Sequence, residues 1–154
     1  ILGVVGVFLY TAWRFEPSFA IGAIVALIHD VLISLGIFVL LGRELSLPMV
    51  GAILAVAGYS INDTIVIFDR IRETFRGGLH GNKLEAMNLA INQTLSRTLM
   101  TSATTFLAVL VLFLFGGRVI NDFALILLIG IAVGTFSSIF IASPIALLAG
   151  GKRK

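Results

Sequence analysis

Apolar residues run through this chain in long stretches that short polar segments separate. The hydrocarbon core of a bilayer is about 30 Å thick, so a helix needs about 20 apolar residues to cross it. The first stretch is too short to cross alone, and we expect it to be the end of a span that begins upstream. The pattern predicts membrane spans at 1–13, 19–41, 48–68, 97–115 and 123–148.

Residues 83–95 follow a different pattern. Apolar residues recur there at helical spacing, with polar residues around the rest of the wheel. Asn82, followed three residues later by Glu85, resembles a capping box at the start of a helix. The pattern predicts an amphipathic helix on the cytoplasmic membrane surface. The alternative is an ordinary helix packed on soluble protein.

Composition agrees with this all-α polytopic membrane fold. The chain is 58% hydrophobic and 12% charged, whereas a soluble domain carries about 25% charged residues. We therefore expect residues 1–154 to form one transmembrane domain. The absence of Cys from the sequence excludes disulfides and thiolate metal sites.

The basic residues predict the orientation of the spans. Five crossings place nine Lys and Arg residues on one side and only Arg43 and Arg118 on the other. Because Lys and Arg are enriched in cytoplasmic loops, the C-terminus is predicted to be cytoplasmic. Topology then explains the basic composition, and no nucleic-acid partner is expected. The first side holds Arg14, Arg70, Arg72, Arg76, Lys83, Arg97, Lys152, Arg153 and Lys154.

An acidic residue lies inside the third predicted span. The stretch GYSINDTIVIFDRIRE, residues 58–73, places Asn62 and Asp63 among apolar side chains, with Tyr59 on the adjoining helix surface. A carboxylate at the centre of a membrane helix costs about 2.5–3.5 kcal/mol on insertion scales. Asp63 is therefore the first candidate for a functional residue.

Arg97 enters the same leaflet from the next span, on a face that it shares with Thr101. Burial favours the protonated form of a carboxyl group, and a nearby guanidinium favours the ionised form. An Arg97 that approaches and leaves Asp63 would therefore let the acid take up and release a proton. The alternative is a static buried ion pair that fixes helix packing.

His29 and Asp30 lie near the middle of the second span. Asp30 either belongs to the same polar path as Asp63 or accepts a hydrogen bond from a neighbouring helix, and Ser34 follows one turn later. His80, the other histidine, lies in a predicted loop, so no metal site is expected. Gly130 and Gly134 form a GxxxG pattern, which indicates close helix packing.

Motifs of soluble enzymes are missing from the sequence: it has no P-loop, GxSxG or HExxH. We expect a protein that is not an enzyme and needs no cofactor. A proton that crosses 100 mV supplies about 2.3 kcal/mol, which suits an acid buried in a helix bundle.

Several motifs together resemble one family. Residues 58–73, the segment SRTLMTS at 96–102, HDV at 29–31 and LFGG at 114–117 closely resemble the SecF branch of the SecD/SecF family of bacterial protein export. The related SecD branch has a different central motif. The resemblance covers essentially the whole chain.

This resemblance implies a transmembrane bundle of the resistance–nodulation–division (RND) superfamily in the bacterial inner membrane. The chain would hold spans two to six, with the first span and a periplasmic domain missing upstream. The implied partners are SecD, the SecY-E-G channel, a translocating preprotein and the lipid bilayer. The family couples late export steps to the proton gradient, or to sodium in some marine bacteria. By the same pattern Asp63 carries the proton, and Arg97 regulates the protonation of Asp63.

Two other hypotheses stay open. One is half of an RND-type carrier for small molecules or lipids. The other is a structural subunit that conducts no ions.

Overall fold

The computed structural model describes Gly6 and residues 17–44, 46–76 and 83–150. Within these residues the regular elements are helices, in agreement with the predicted all-α fold. A short π-helical segment, Ser138–Ala142, joins the last two without a break. The α-helices are α1 (Pro17–Leu40), α2 (Leu47–Arg76), α3 (Lys83–Phe115), α4 (Gly117–Ser137) and α5 (Ser143–Gly150).

Among the residues that the structure describes, four helices are long and apolar enough to cross a membrane: Pro17–Leu40, Leu47–Phe75, Lys83–Phe115 and Ile120–Ala149. They contain the predicted spans 19–41, 48–68, 97–115 and 123–148, apart from Leu41, which lies just beyond α1. The predicted span 1–13 lies outside the described residues except for Gly6. The count of five spans therefore stays a prediction.

Two boundaries differ from the sequence-based prediction. Helix α2 continues past Phe68 to Arg76, and α3 runs unbroken from Lys83 to Phe115. Neither added stretch contains Gly or Pro, the residues that most weaken a helix interior. Residues 83–95 are therefore the first turns of a spanning helix rather than a separate one, and their location at the membrane surface stays a prediction.

Those first turns of α3 pack onto the end of α2. Met87 and Ala90 belong to one buried cluster with Phe68 and Ile71. Arg70 of α2 adds a hydrogen bond from its Nε to the side-chain oxygen of Gln93, at 2.8 Å. These contacts hold together the ends of α2 and α3 that the predicted topology places on the cytoplasmic side.

Helices α2 and α4 approach each other closely through the predicted GxxxG pattern. A Cβ atom on Gly130 would overlap Val56, and one on Gly134 would lie 3.2 Å from the Cβ of Ser60. Larger residues at either glycine would push the helices apart. The small residues thus bring α2 and α4 together one turn from Asp63.

Large apolar side chains cover much of the outside of the bundle, among them Leu32, Leu107 and Leu112. The interior in turn holds buried Ser, Thr and Asp side chains. This distribution suits a bundle in lipid, because the bilayer solvates apolar surface while polar groups must find partners inside the protein.

Candidate functional site

Asp63 lies on the inner side of α2, where only 4% of its surface is exposed. Residues one turn apart on a helix share a face, and Ser60, Asp63, Thr64 and Ile67 are all buried together. Ser102 of α3 donates a hydrogen bond from its Oγ to Asp63 Oδ2, at 3.4 Å. The buried carboxylate is thus held by a neutral hydroxyl from the neighbouring helix.

Ser102 also connects the acid to two further side chains. Its Oγ lies 2.7 Å from Thr135 Oγ1 of α4, and it accepts a hydrogen bond from the Tyr59 hydroxyl at 3.3 Å. We call Tyr59, Asp63, Ser102 and Thr135 the Asp63 cluster. It links α2, α3 and α4 through side chains alone.

Ser102 and Thr135 were not among the predicted site residues. A signal for Ser102 does exist in the sequence, because Thr94, Thr98 and Ser102 recur every four residues and form a buried hydroxyl stripe on α3. Such a stripe on an otherwise apolar helix indicates a face turned toward other protein groups. Thr135 lies beside the GxxxG pattern and carries no comparable signal.

Arg97 lies on an exposed part of α3. Within the described part of the chain it forms no ion pair or hydrogen bond with Asp63. It is nevertheless close enough for its charge to interact electrostatically with that carboxylate. The structure thus brings the predicted pair into the same region without direct contact.

The predicted supporting residues divide between different locations. Tyr59 belongs to the Asp63 cluster, whereas Asn62 and Thr101 are exposed. The Thr101 hydroxyl bonds back to its own helix, to the carbonyl oxygens of Arg97 at 3.1 Å and Thr98 at 3.0 Å. Neighbouring positions on α2 therefore differ in exposure, with Asp63 inward and Asn62 outward.

Asp30, the other predicted supporting residue, forms a separate cluster. It is fully buried, and its Oδ2 accepts hydrogen bonds from the hydroxyls of Ser60 on α2 and Ser137 on α4, the latter at 2.7 Å. His29 Nδ1 lies 3.0 Å from Asp30 Oδ1. We call these four residues the Asp30 cluster.

Of the two alternatives for Asp30, the contact with neighbouring helices is the one observed. In the described residues no hydrogen bond joins Asp30 to Asp63. Ser34, one turn after Asp30, has a buried hydroxyl with no hydrogen-bond partner in the described residues. The two buried acids thus occupy distinct polar clusters that both include a residue of α2 and a residue of α4.

The chemistry open to these groups is limited. No three His, Cys, Asp or Glu residues of the described ranges come together in a group that could hold a metal ion. A buried carboxyl group with one hydroxyl donor, and with a nearby guanidinium that forms no ion pair with it in the described residues, is suited to binding and releasing a proton.

Comparison with known proteins identifies the family. A family model described as protein export membrane protein SecD/SecF, C-terminal, matches residues 1–152. The protein translocase subunit SecF of Thermodesulfovibrio yellowstonii is 53% identical over 147 residues, covering 94% of this chain and 49% of that protein. SecF of Calditerrivibrio nitroreducens is 55% identical over 152 residues, covering 97% and 50%.

A solved structure shows the same arrangement of helices. The crystal structure of SecDF, a translocon-associated membrane protein from Thermus thermophilus, matches with a TM-score of 0.89 and 49% identity over 95% of this chain and 20% of that one. The chain spans about half the length of the curated SecF relatives described above. It belongs to the SecD/SecF family of protein export membrane proteins, whose C-terminal region it matches.

Proposed function

We propose that this chain is the membrane part of a SecF-type subunit of the bacterial Sec machinery. It lies in the inner membrane as a multi-pass protein with its C-terminus in the cytoplasm. There it couples the proton-motive force to late steps in the export of a preprotein through the SecY-E-G channel. Asp63 is the group that takes up the proton, and Arg97 regulates the protonation of Asp63.

The environment of Asp63 is the observation that carries this proposal. Its carboxylate is buried, bound by the Ser102 hydroxyl and free of an ion pair with Arg97 in the described residues. A permanent ion pair would keep the acid ionised, and a carboxylate with no donor at all would stay protonated. A hydroxyl with a guanidinium nearby supports an acid that can adopt either state.

The proposed cycle has two states. When Asp63 is ionised, the Arg97 side chain turns inward and pairs with it. When a proton neutralises the carboxylate, that attraction ends and Arg97 extends its long side chain toward water. Because Ser102 contacts both Asp63 and Thr135, the change at the acid reaches the contact between α3 and α4.

A SecD-type half is the proposed partner within the membrane. Ala55, Gly58 and Asn62 form an exposed strip on α2, and a Cβ atom on Gly58 would meet nothing within 4 Å. Small residues allow another helix to approach closely. The Thermus thermophilus relative bears the name SecDF, which agrees with a SecD-type neighbour. We propose that the SecD-type half covers this strip and contacts both Asn62 and the exposed Thr101.

Export into sealed inverted vesicles tests the proposal. The full subunit would carry Asp63→Asn, and export of a secreted precursor would be measured with and without a proton gradient. We expect the gradient-stimulated part of export to disappear while the subunit still assembles. Glu44→Gln, which neutralises an exposed acid between α1 and α2, is the matched control.

Two outcomes contradict the proposal. Unchanged stimulation in Asp63→Asn would make Asp63 a packing residue and the chain a structural subunit. Normal export in vesicles that lack the subunit altogether, combined with altered efflux of lipids or small molecules, would indicate an RND-type carrier. Replacing the proton gradient by a sodium gradient identifies the coupling ion.

A further inference from the structure

Asp30 is a fully buried acid that the proposed proton cycle does not use. The two serine hydroxyls that it binds belong to helices that also carry residues of the Asp63 cluster: Ser60 to α2 and Ser137 to α4. These contacts join residues 30 and 107 positions apart in the sequence. One carboxylate oxygen thus connects α1 to two other helices at once.

The two serines lie where α2 crosses α4. Ser60 faces Gly134, where an added Cβ would come within 3.2 Å of the Ser60 Cβ, and Val56, one turn away, faces Gly130. Ser137 lies three residues after Gly134 and also contacts its carbonyl oxygen, at 3.2 Å. Asp30 therefore binds this crossing directly from the side of α1.

The same crossing sets the geometry of the Asp63 cluster. Asp63 follows Ser60 by three residues on α2, and Thr135 follows Gly134 directly on α4. Ser102 can contact Asp63 and Thr135 together only while α2 and α4 keep their spacing. A displacement of Ser60 relative to Ser137 would change the distance that Ser102 has to bridge.

We infer that Asp30 is a positioning residue, which holds α2 against α4 so that Asp63 stays within reach of Ser102 and Thr135. Its hydrogen-bond acceptor does this, and its negative charge is not required. Both serines donate to the same oxygen, Oδ2. An asparagine whose amide oxygen takes that place keeps both bonds and presents its amide group to His29 Nδ1.

This inference predicts a contrast between two substitutions at one position. Asp30→Asn should keep the helix crossing and export near the wild-type level. Asp30→Ala removes the acceptor, so the Ser60 hydroxyl loses this partner and the Ser137 hydroxyl keeps only the Gly134 carbonyl oxygen of its own helix. The crossing should then loosen. The export readout rests on the proposed function, but the crossing itself can be measured without it.

Disulfide formation between α2 and α4 measures the crossing. The sequence contains no Cys, so the pair Val56→Cys and Gly130→Cys would be placed in the full subunit, cysteine-free elsewhere and assembled with its SecD-type partner. An added Cβ on Gly130 would lie 2.9 Å from the Val56 Cβ, which is shorter than the Cβ separation of about 3.5–4.5 Å in disulfides. The two cysteines therefore move the helices slightly apart at this point, and every Asp30 variant is compared with Asp30 in the same two-cysteine background. We expect Asp30→Ala to slow oxidative cross-linking about tenfold, and Asp30→Asn to leave it unchanged.

The outcomes separate this inference from the proposed function. If Asp30→Ala cross-links at the same rate as the chain with Asp30, the positioning role is overturned, whether or not export changes. Loss of gradient-stimulated export in Asp30→Asn with normal cross-linking shows that the charge is needed, and overturns it too. If Asp30→Ala fails to assemble, Ser137→Ala removes one of the two donors and should slow cross-linking by a smaller factor. An unchanged rate in that variant also contradicts the inference.

Discussion

Ser102 of α3 and the buried Asp63 of α2 are joined by a hydrogen bond of 3.4 Å, while the neighbouring Arg97 of α3 makes none to that acid in the described residues. The long donor–acceptor distance marks a weak contact compared with the usual range for hydroxyl donors. A weak neutral donor suits the proposed role of Asp63, in which the acid changes its protonation state.

Ser102→Ala should reduce gradient-stimulated export about threefold to tenfold, because the substitution removes the hydroxyl that links Asp63 with Thr135. The measurement is vesicle export with and without a proton gradient, at matched subunit levels. Thr104→Ala is the control, since that hydroxyl is exposed and bonds to carbonyl oxygens of its own helix. Equal export in both variants would argue against a role for the Ser102 contact.

Arg97→Ala should also impair gradient-stimulated export while the subunit remains in the membrane. The exposed side chain makes little packing contact, so its loss should leave the thermal midpoint nearly unchanged. Arg97→Lys keeps the charge without the planar guanidinium and should retain part of the activity. Arg118→Ala, at an exposed arginine on α4, is the comparison. Full export by Arg97→Ala would remove this residue from the mechanism.

Gly130→Leu should destabilise the bundle, since even a Cβ at this position overlaps Val56. Overpacking of this kind costs about 1–3 kcal/mol. Thermal unfolding of the purified subunit in detergent would show the loss. Val56→Ala in the same chain should recover part of it, while Gly36→Leu, at a glycine with nothing within 4 Å of an added Cβ, should have little effect. An equal loss at both glycines would refute the close contact.

The ion pair between Arg43 and Asp122 should contribute little to stability. Its atoms Nη1 and Oδ1 lie 2.7 Å apart, but 40% and 29% of the two side chains are exposed. Exposed pairs contribute about 0–1 kcal/mol and weaken with salt. A double-mutant cycle of Arg43→Ala and Asp122→Ala, measured by unfolding at low and high salt, should give a coupling energy within that range at low salt. A value well above it would indicate a more shielded pair.

The sequence predicted much of the fold from local information. A helix that crosses lipid must satisfy its own backbone and present an apolar surface, so length and hydropathy reveal spans without knowledge of their neighbours. The prediction of a separate helix at residues 83–95 was wrong, because α3 runs unbroken from Lys83 to Phe115. The prediction relied on the polar residues of this segment and did not consider that no Gly or Pro interrupts the sequence up to Phe115. The family resemblance, carried by the motifs around Asp63 and Arg97, was confirmed by the comparisons.

The candidate site was predicted less completely. Asp63 and Asp30 stood out because placing an acid in an apolar membrane helix costs free energy, so such a residue usually has a function. Thr135, Ser60 and Ser137 did not, because a hydroxyl in a membrane helix can bond to its own backbone at no cost to packing, as Thr101 does. Ser102 was missed because the prediction did not use the four-residue spacing of Thr94, Thr98 and Ser102.

The sequence by itself determined four of the helices and the two acids that they bury. Only the tertiary structure decided that Asp63 faces inward beside an outward Asn62, and that Asp30 bonds to Ser60 and Ser137 rather than to the Asp63 cluster. In a soluble helix the apolar face identifies the inner side, but lipid is as apolar as the protein interior. Most positions on both faces of a membrane helix are therefore apolar, and contacts between helices distant in the chain decide which face lies inside.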